Sequence, residues 1–311
     1  MKSLALTLLA IVPWTIGWTN TQAVASAVCY TQDGTDESDK PAEGEDDGKK
    51  DEHLKEWPTL ENKSGAAKEV KRLVKARTEE MGLDAAIKLK EIGTGVTPAL
   101  LKSLGITRDE DTIARIHDVL DAVTGPMHTR LLAEHFESKK VNVRRYVLGR
   151  VAQLPDSGVA KQAEAAWAAA SSERSRWEKD DKYLAALCCA SAGSEVGLEL
   201  LITYAGKKWG KVREQLALAL PSLRNDALTS KLIERFGNKE RQAQVNCLRL
   251  LSLCGTKASF GYIRPLLDSG DGSLKKAAIN ACRGIIENKP PLGDISVFDA
   301  IELAQKWKDR L

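Results

Sequence analysis

The sequence predicts an all-α protein, an α-solenoid of about six antiparallel helix pairs closed by helical caps. Three observations predict it. Between about Asp109 and Asn288 one unit returns roughly every 31 to 37 residues, and a repeat of that length sets the architecture before any local reading does. The second half of each unit carries apolar residues at i, i+4 and i+7 or i+8, the spacing of one helix face. Aromatic residues make up only 5% of the chain while Ala, Leu, Glu, Lys and Arg dominate, a composition that favours helices over strands.

Residues 1–27 read as a secretory signal peptide. Lys2 gives a positive start, Leu4 to Val12 is an apolar run, and Pro13-Trp14-Thr15-Ile16-Gly17-Trp18 closes it. Ala25-Ser26-Ala27 then places small residues at −3 and −1, as a signal peptidase requires. The run falls short of the ~20 residues of a membrane span. Retention as an uncleaved anchor is the alternative. Lipidation at Cys29 is disfavoured, because Ser26 and Val28 stand where a lipoprotein signal needs Leu and a small residue. Export predicts an extracytoplasmic protein, whether secreted, periplasmic or envelope-associated. No other segment approaches membrane-spanning length.

Residues 28–62 form an acidic tether. From Asp33 to Glu56 there are 11 acidic and 4 basic residues, interrupted by Gly34, Pro41, Gly44 and Gly48. With almost no large apolar side chain to bury, the tether cannot offset its ordering entropy and is expected to be disordered. The chain's net charge is +3, so setting aside this −7 and the charge of Lys2 leaves +9 on Trp57–Leu311. Neither Asp33-Gly34-Thr35-Asp36-Glu37 nor Glu45-Asp46-Asp47 has the ligand spacing of a calcium loop.

Residues 63–94 read as N-terminal capping helices, Ala66–Glu80 and Leu83–Ile92. Residues 95–290 hold the pairs. Thr97–Leu104 goes with Glu110–Val123, Met127–Glu137 with Val141–Leu154, and Val159–Ala170 with Lys179–Ser191. Val196–Tyr204 goes with Lys211–Leu223, Ala227–Phe236 with Glu240–Cys254, and Ser259–Leu267 with Leu274–Glu287. A last helix, Val297–Arg310, follows Pro290-Pro291-Leu292-Gly293 and caps the C-terminal end within residues 291–311. Gly105, Gly125, Gly193, Gly237 and Gly255 fall between segments, where a left-handed C-cap is expected.

The clearest second helices begin Val143-Arg144-Arg145-Tyr146, Val212-Arg213-Glu214-Gln215, Ala243-Gln244-Val245-Asn246 and Leu274-Lys275-Lys276-Ala277. One polar, usually basic residue follows the first apolar position, and the step from Val212 to Ala243 to Leu274 is 31 residues each time. On these residues the body resembles the HEAT-repeat family of α-solenoids, over roughly 95 to 290 and weakly from Ala66. The third unit departs from the pattern. Its turn, Ser171 to Glu178, is long and charged, and its second helix lacks the basic position. The resemblance implies stacked units that bury a continuous core and present an extended surface.

The turns within the pairs carry the candidate site. Lys139 and Lys140 occupy one, then Arg174, Arg176 and Trp177, then Lys207, Lys208, Trp209 and Lys211, then Lys239 and Arg241, then Lys275 and Lys276. Stacked on the order of 10 Å apart, these corners predict one basic ridge with two tryptophans on it. Trp beside Lys and Arg suits recognition of a protein or an anionic polymer. Turns that are simply polar, with each Trp packed over a helix end, are the plainer reading. The predicted function is therefore an exported, non-enzymatic scaffold or adaptor. The alternatives are an enzyme or enzyme-associated subunit on a HEAT-like array, of lyase or glycosylase type, and a purely structural envelope protein. A nucleic-acid partner is opposed by the export signal and by a pI near 8.4.

No motif supports catalysis, a metal or a cofactor. HExxH, Gly-x-Ser-x-Gly and Gly-rich phosphate loops are all missing. Asp268-Ser269-Gly270-Asp271-Gly272-Ser273 reads as a turn with an N-cap, since Gly and Ile279 stand where calcium ligands belong. The six cysteines show no CxxC or Cys/His spacing, and those on second helices read as small core hydrophobes.

Overall fold

A computed structural model describes His53 to Leu311, and among these residues the chain is all-α, with no strand. The signal peptide, Cys29 and most of the acidic tether lie outside the described residues.

Helix starts follow capping chemistry. Asn62 accepts the Gly65 N–H ahead of α1 (Lys63–Val74), and Thr78 accepts the Met81 N–H ahead of α2 (Glu79–Ile92). That cap at Thr78 explains one departure from expectation. The apolar period runs on through Glu80, but the chain breaks at Lys75 and restarts at Glu79. α3 (Thr97–Leu104) and α4 (Glu110–Val123) come next, with Asp109 capping α4. α5 (Thr129–Ala133) is shorter than expected, because the chain leaves it through a series of i+3 turns at His135, Phe136 and Ser138. α6 (Val141–Val151), α7 (Ala160–Ser171) and α8 (Lys179–Ser191) continue the order. Asn225 caps α10 (Asp226–Phe236), Asp271 caps α13 (Gly272–Glu287) and Ser296 caps α14 (Val297–Lys308). α11 (Arg241–Cys254) and α12 (Phe260–Leu266) lie between.

A 3-10 turn leads into four of the first helices: Thr94–Val96, Pro126–His128, Ser157–Val159 and Lys257–Ser259. In each the last residue is buried, so Val96, His128, Val159 and Ser259 plug the same kind of corner. Each helix then packs on its sequence neighbour: α1 on α2, α3 on α4, α5 on α6, α7 on α8, α10 on α11 and α12 on α13. The second helices also meet across units, α2 with α4, α6 with α8 and α11 with α13. α8 is the most enclosed. Tyr183 and Ala185 to Ser191 are buried, and this small-residue helix meets α6, α7 and a ninth helix, α9 (Leu198–Ala219).

Where the pair Val196–Tyr204 and Lys211–Leu223 is expected, α9 holds two helical stretches that meet at a kink at Lys208, whose φ of −135° and ψ of 26° are non-helical. A side chain at Gly206 would meet Asn246 Nδ2 of α11 at 2.8 Å. Of the five glycines only Gly193 has a positive φ (82°); positive φ also occurs at Gly93 and Asn288, the C-caps of α2 and α13, and at Gly197, the N-cap of α9. A further correction concerns the end of the tether. His53 to Leu60 lies on the helical body. His53 sits 3.6 Å from Asp156, the Leu54 N–H donates to the Met127 carbonyl at 3.0 Å, and Trp57 stacks on His128 with ring centroids 5.7 Å apart. Leu60 and Pro58 pack over Gly95. This strap crosses three of the 3-10 corners.

Candidate functional site

Side chains at and near the corners link successive elements. Asn142 Nδ2, at the start of α6, donates to the Thr107 carbonyl in the turn before α4, at 3.0 Å. Arg145 of α6 reaches Glu178, the N-cap of α8, at 2.9 Å. Tyr183 of α8 stacks on Tyr204 of α9, centroids 4.5 Å apart. Arg249 of α11 lies over the ring of Trp209 of α9 at 5.4 Å. Arg241 of α11 pairs with Asp271, the cap of α13, and donates to Ser273 Oγ at 2.9 Å. Consecutive corners are thus neighbours through direct side-chain contacts.

One of these contacts is a buried ion cluster. Asp181 is fully enclosed and receives Arg144 Nη2 and Arg145 Nε, each at 2.7 Å, plus the Glu178 N–H at 3.1 Å. Burial raises the Asp181 pKa, but the hydrogen bonds from Arg144, Arg145 and Glu178 outweigh it, and the carboxyl ends below its ordinary value. Arg144 also donates to the Ser138 carbonyl, and its guanidinium lies 4.4 Å above the Trp177 ring. Trp177 is half-buried against the core. Its face is occupied from within, so it supports the corner instead of offering a free surface.

The knee of α9 is the most cationic corner. Lys207, Lys208 and Lys211 are exposed, and none has a carboxylate partner among the described residues. Lys208 Nζ stands 4.9 Å over Tyr204. Trp209 is half-buried, like Trp177, with Arg249 against it. Sequence reasoning passed over Arg249. Its guanidinium is half-buried, donates to Asn246 Oδ1 at 3.2 Å and meets no carboxylate among the described residues; burial lowers its pKa. The signal for it was a basic residue set in the apolar run Cys247-Leu248-Arg249-Leu250-Leu251. A cation drawn partly out of water without a counter-ion is a place where an anion would be stabilised.

The other predicted residues divide. Arg174, Arg176 and Lys239 are exposed and have no ion pair among the described residues. Arg241 is committed to Asp271, Lys275 is half-buried, and Lys276 lies 3.9 Å from Asp294. Acidic side chains stand on the same corners, Glu173, Asp180 and Glu240 among them, so the edge is mixed and the net excess is concentrated at the α9 knee.

The histidines are not assembled with a nucleophile. His117 packs on Tyr146 at 4.9 Å, and Tyr146 donates to Asp121 at 3.1 Å. His128 accepts the Gly125 N–H through Nδ1 at 3.0 Å and is covered by Trp57. Cys188, Cys189, Cys247, Cys254 and Cys282 are buried free thiols. Burial pushes Cys189, Cys247, Cys254 and Cys282 up to about 12, which suppresses thiolate chemistry. Asp271 takes the Ser273 and Leu274 N–H groups, the N-cap expected of that loop. Among the described residues no helix is long and apolar enough to cross a membrane, and no group of His, Cys, Asp and Glu is placed to hold a metal.

No protein-family profile and no curated protein matches the chain. Among solved structures, the crystal structure of an engineered protein is similar at 15% identity, over 78% of this chain and 97% of that one, with a TM-score of 0.27. A likeness at that score bears on neither fold nor function.

Proposed function

We propose that this chain is an exported, non-enzymatic scaffold whose helix pairs stack as a HEAT-like solenoid, and that its corner edge binds an acidic protein segment or a polyanionic chain. The stacking reading is supported by the contacts of α2 with α4, α6 with α8 and α11 with α13, and by the four recurring 3-10 corners. The binding reading rests on one observation: Arg249 is held over Trp209 without a carboxylate, beside the unpaired Lys207, Lys208 and Lys211. A preordered array presents such a surface with little conformational loss on binding. Trp209 acts as a platform that fixes Arg249, so that cation and the knee lysines make the contact, while Arg144 and Trp177 hold the neighbouring corner in place. Export rests on the pattern of residues 1–27.

The test is retention on a heparin column, with an acidic peptide as the second ligand. Replacing Lys207, Lys211 and Arg249 by Glu should abolish retention at about 150 mM salt, where screening still leaves short-range pairs intact. The Arg174→Glu/Arg176→Glu variant should weaken it less. Unchanged retention in the triple variant rejects the edge as the binding surface. Fractionation of the expressing cells tests export independently.

A further inference from the structure

The two ends of the helical body carry unpartnered apolar features of opposite charge. On α14, Ala300, Ala304 and Trp307 face inward, while Val297 and Phe298 are each 76% exposed and Ile301 is 58% exposed. Val297, Phe298 and Ile301 follow the i, i+1, i+4 spacing of one ridge. No large hydrophobic among the described residues is more exposed than the first two. Beside the ridge, Asp294, Asp299 and Glu302 border a hollow of about 340 Å³ floored by Ile295 and Leu303. The ridge is therefore apolar with an acidic rim.

At the other end, α1 and α3 enclose a groove of about 290 Å³. Val70, Val74 and Ala99 line it, and Lys71, Lys75 and Lys102 stand along it, exposed and without ion pairs among the described residues. That is an apolar slot with a basic rim. A ridge seated between two helices is an ordinary packing solution.

We propose that α14 of one copy of this chain docks in the α1–α3 groove of another, in a head-to-tail association. The occupant is a second copy because both halves of the fit are present on this chain: three carboxylates flank the ridge and three ammonium groups flank the groove. In a stack of helical units, an apolar outer face on the last helix is the face that a following unit would cover. Because the two patches differ, the contact is heterologous, and successive copies add in line or close into a ring. One helix in one groove buries less than the ~1,200–2,000 Å² of a standard interface, so the affinity expected is micromolar.

The experiment is sedimentation of the full chain from about 5 to 200 µM, a range bracketing micromolar affinity. The weight-average mass should rise with concentration at about 50 mM salt, and the association constant should fall at least about tenfold at roughly 500 mM. Lys71→Glu/Lys75→Glu/Lys102→Glu should be monomeric, as should Asp294→Lys/Glu302→Lys. Each variant alone presents like charges at both ends; mixed, acidic grooves meet basic ridges and basic grooves meet acidic ridges, so association should return. Phe298→Asp should be monomeric and not rescued. All these side chains are exposed, and circular dichroism checks that the fold is kept. A monomer throughout at low salt overturns the proposal, and so does a mixture that stays monomeric. Loss of association in Leu83→Glu/Ile87→Glu on α2, with the lysine variant unaffected, overturns it in favour of a different seat. None of these variants alters the α9 knee, so the outcome is independent of polyanion binding.

Discussion

At the scale of single residues, Asp181 is the most consequential side chain in the body. Three donors converge on it from two helices, and one donor, Arg144, is itself buried. Asp181→Ala leaves that guanidinium without a counter-charge and should cost about 3–5 kcal/mol in urea unfolding. The Asp181 pKa is lowered in the fold, so its contribution is complete above ~4 and is lost as pH falls through the folded value. The histidines act in the same direction at higher pH. Burial lowers the pKa of His117, with Asp121 opposing, and burial lowers that of His128, with the Gly125 N–H bond opposing and Arg150 adding to the effect. A depressed histidine stabilises fully above ~6.5, and that stability is lost as pH falls below it. The urea midpoint should therefore drop between pH 7.5 and 5.5, and His117→Gln/His128→Gln should flatten the slope. Sequence marked Arg144 as a recurrent basic position but gave no sign that it is enclosed. Its partner lies 37 residues on, and a separation of that length is not a local pattern.

At the scale of elements, the seam between α11 and α13 depends on an absent side chain. A Cβ on Gly284 would come 1.8 Å from the Ser252 carbonyl oxygen, which is backbone and cannot swing aside. Gly284→Ala should cost about 3 kcal/mol and lower Tm by on the order of 10 °C, measured by thermal melting. Most helices were legible beforehand, because apolar period and cap agree: Asp109 before α4, Asn225 before α10, Asp271 before α13 and Ser296 before α14. The departure at the N-terminal end has a local cause. The period through Glu80 mimics one long helix, yet a cap at Thr78 decides the outcome. Half of the candidate site was legible in the same way. The lysines of the α9 knee stand out in any reading, and the plainer reading of Trp177 and Trp209 as packed side chains fits their half-buried places, whereas the arginines that cover them come from other helices and left no local signal of the pairing.

At the scale of the molecule, each pair of helices leans on its neighbours, and the strap of His53 to Leu60 spans three corners of the N-terminal half. The strap carried no period and sat in an acidic, glycine-containing stretch, so it was read as tether. Only Trp57 marked it as something more. Every described tryptophan meets a ring or a cation from its surroundings: His128 on Trp57, Lys182 on Trp167, Arg144 on Trp177, Arg249 on Trp209 and Arg310 on Trp307. These five contacts fall at five different places along the body. Indole emission is sensitive to such a covering charge, so a series of chains keeping one tryptophan each would act as a set of local optical gauges. Each would report the parting of its own seam, and together they would tell whether the body melts at once or section by section.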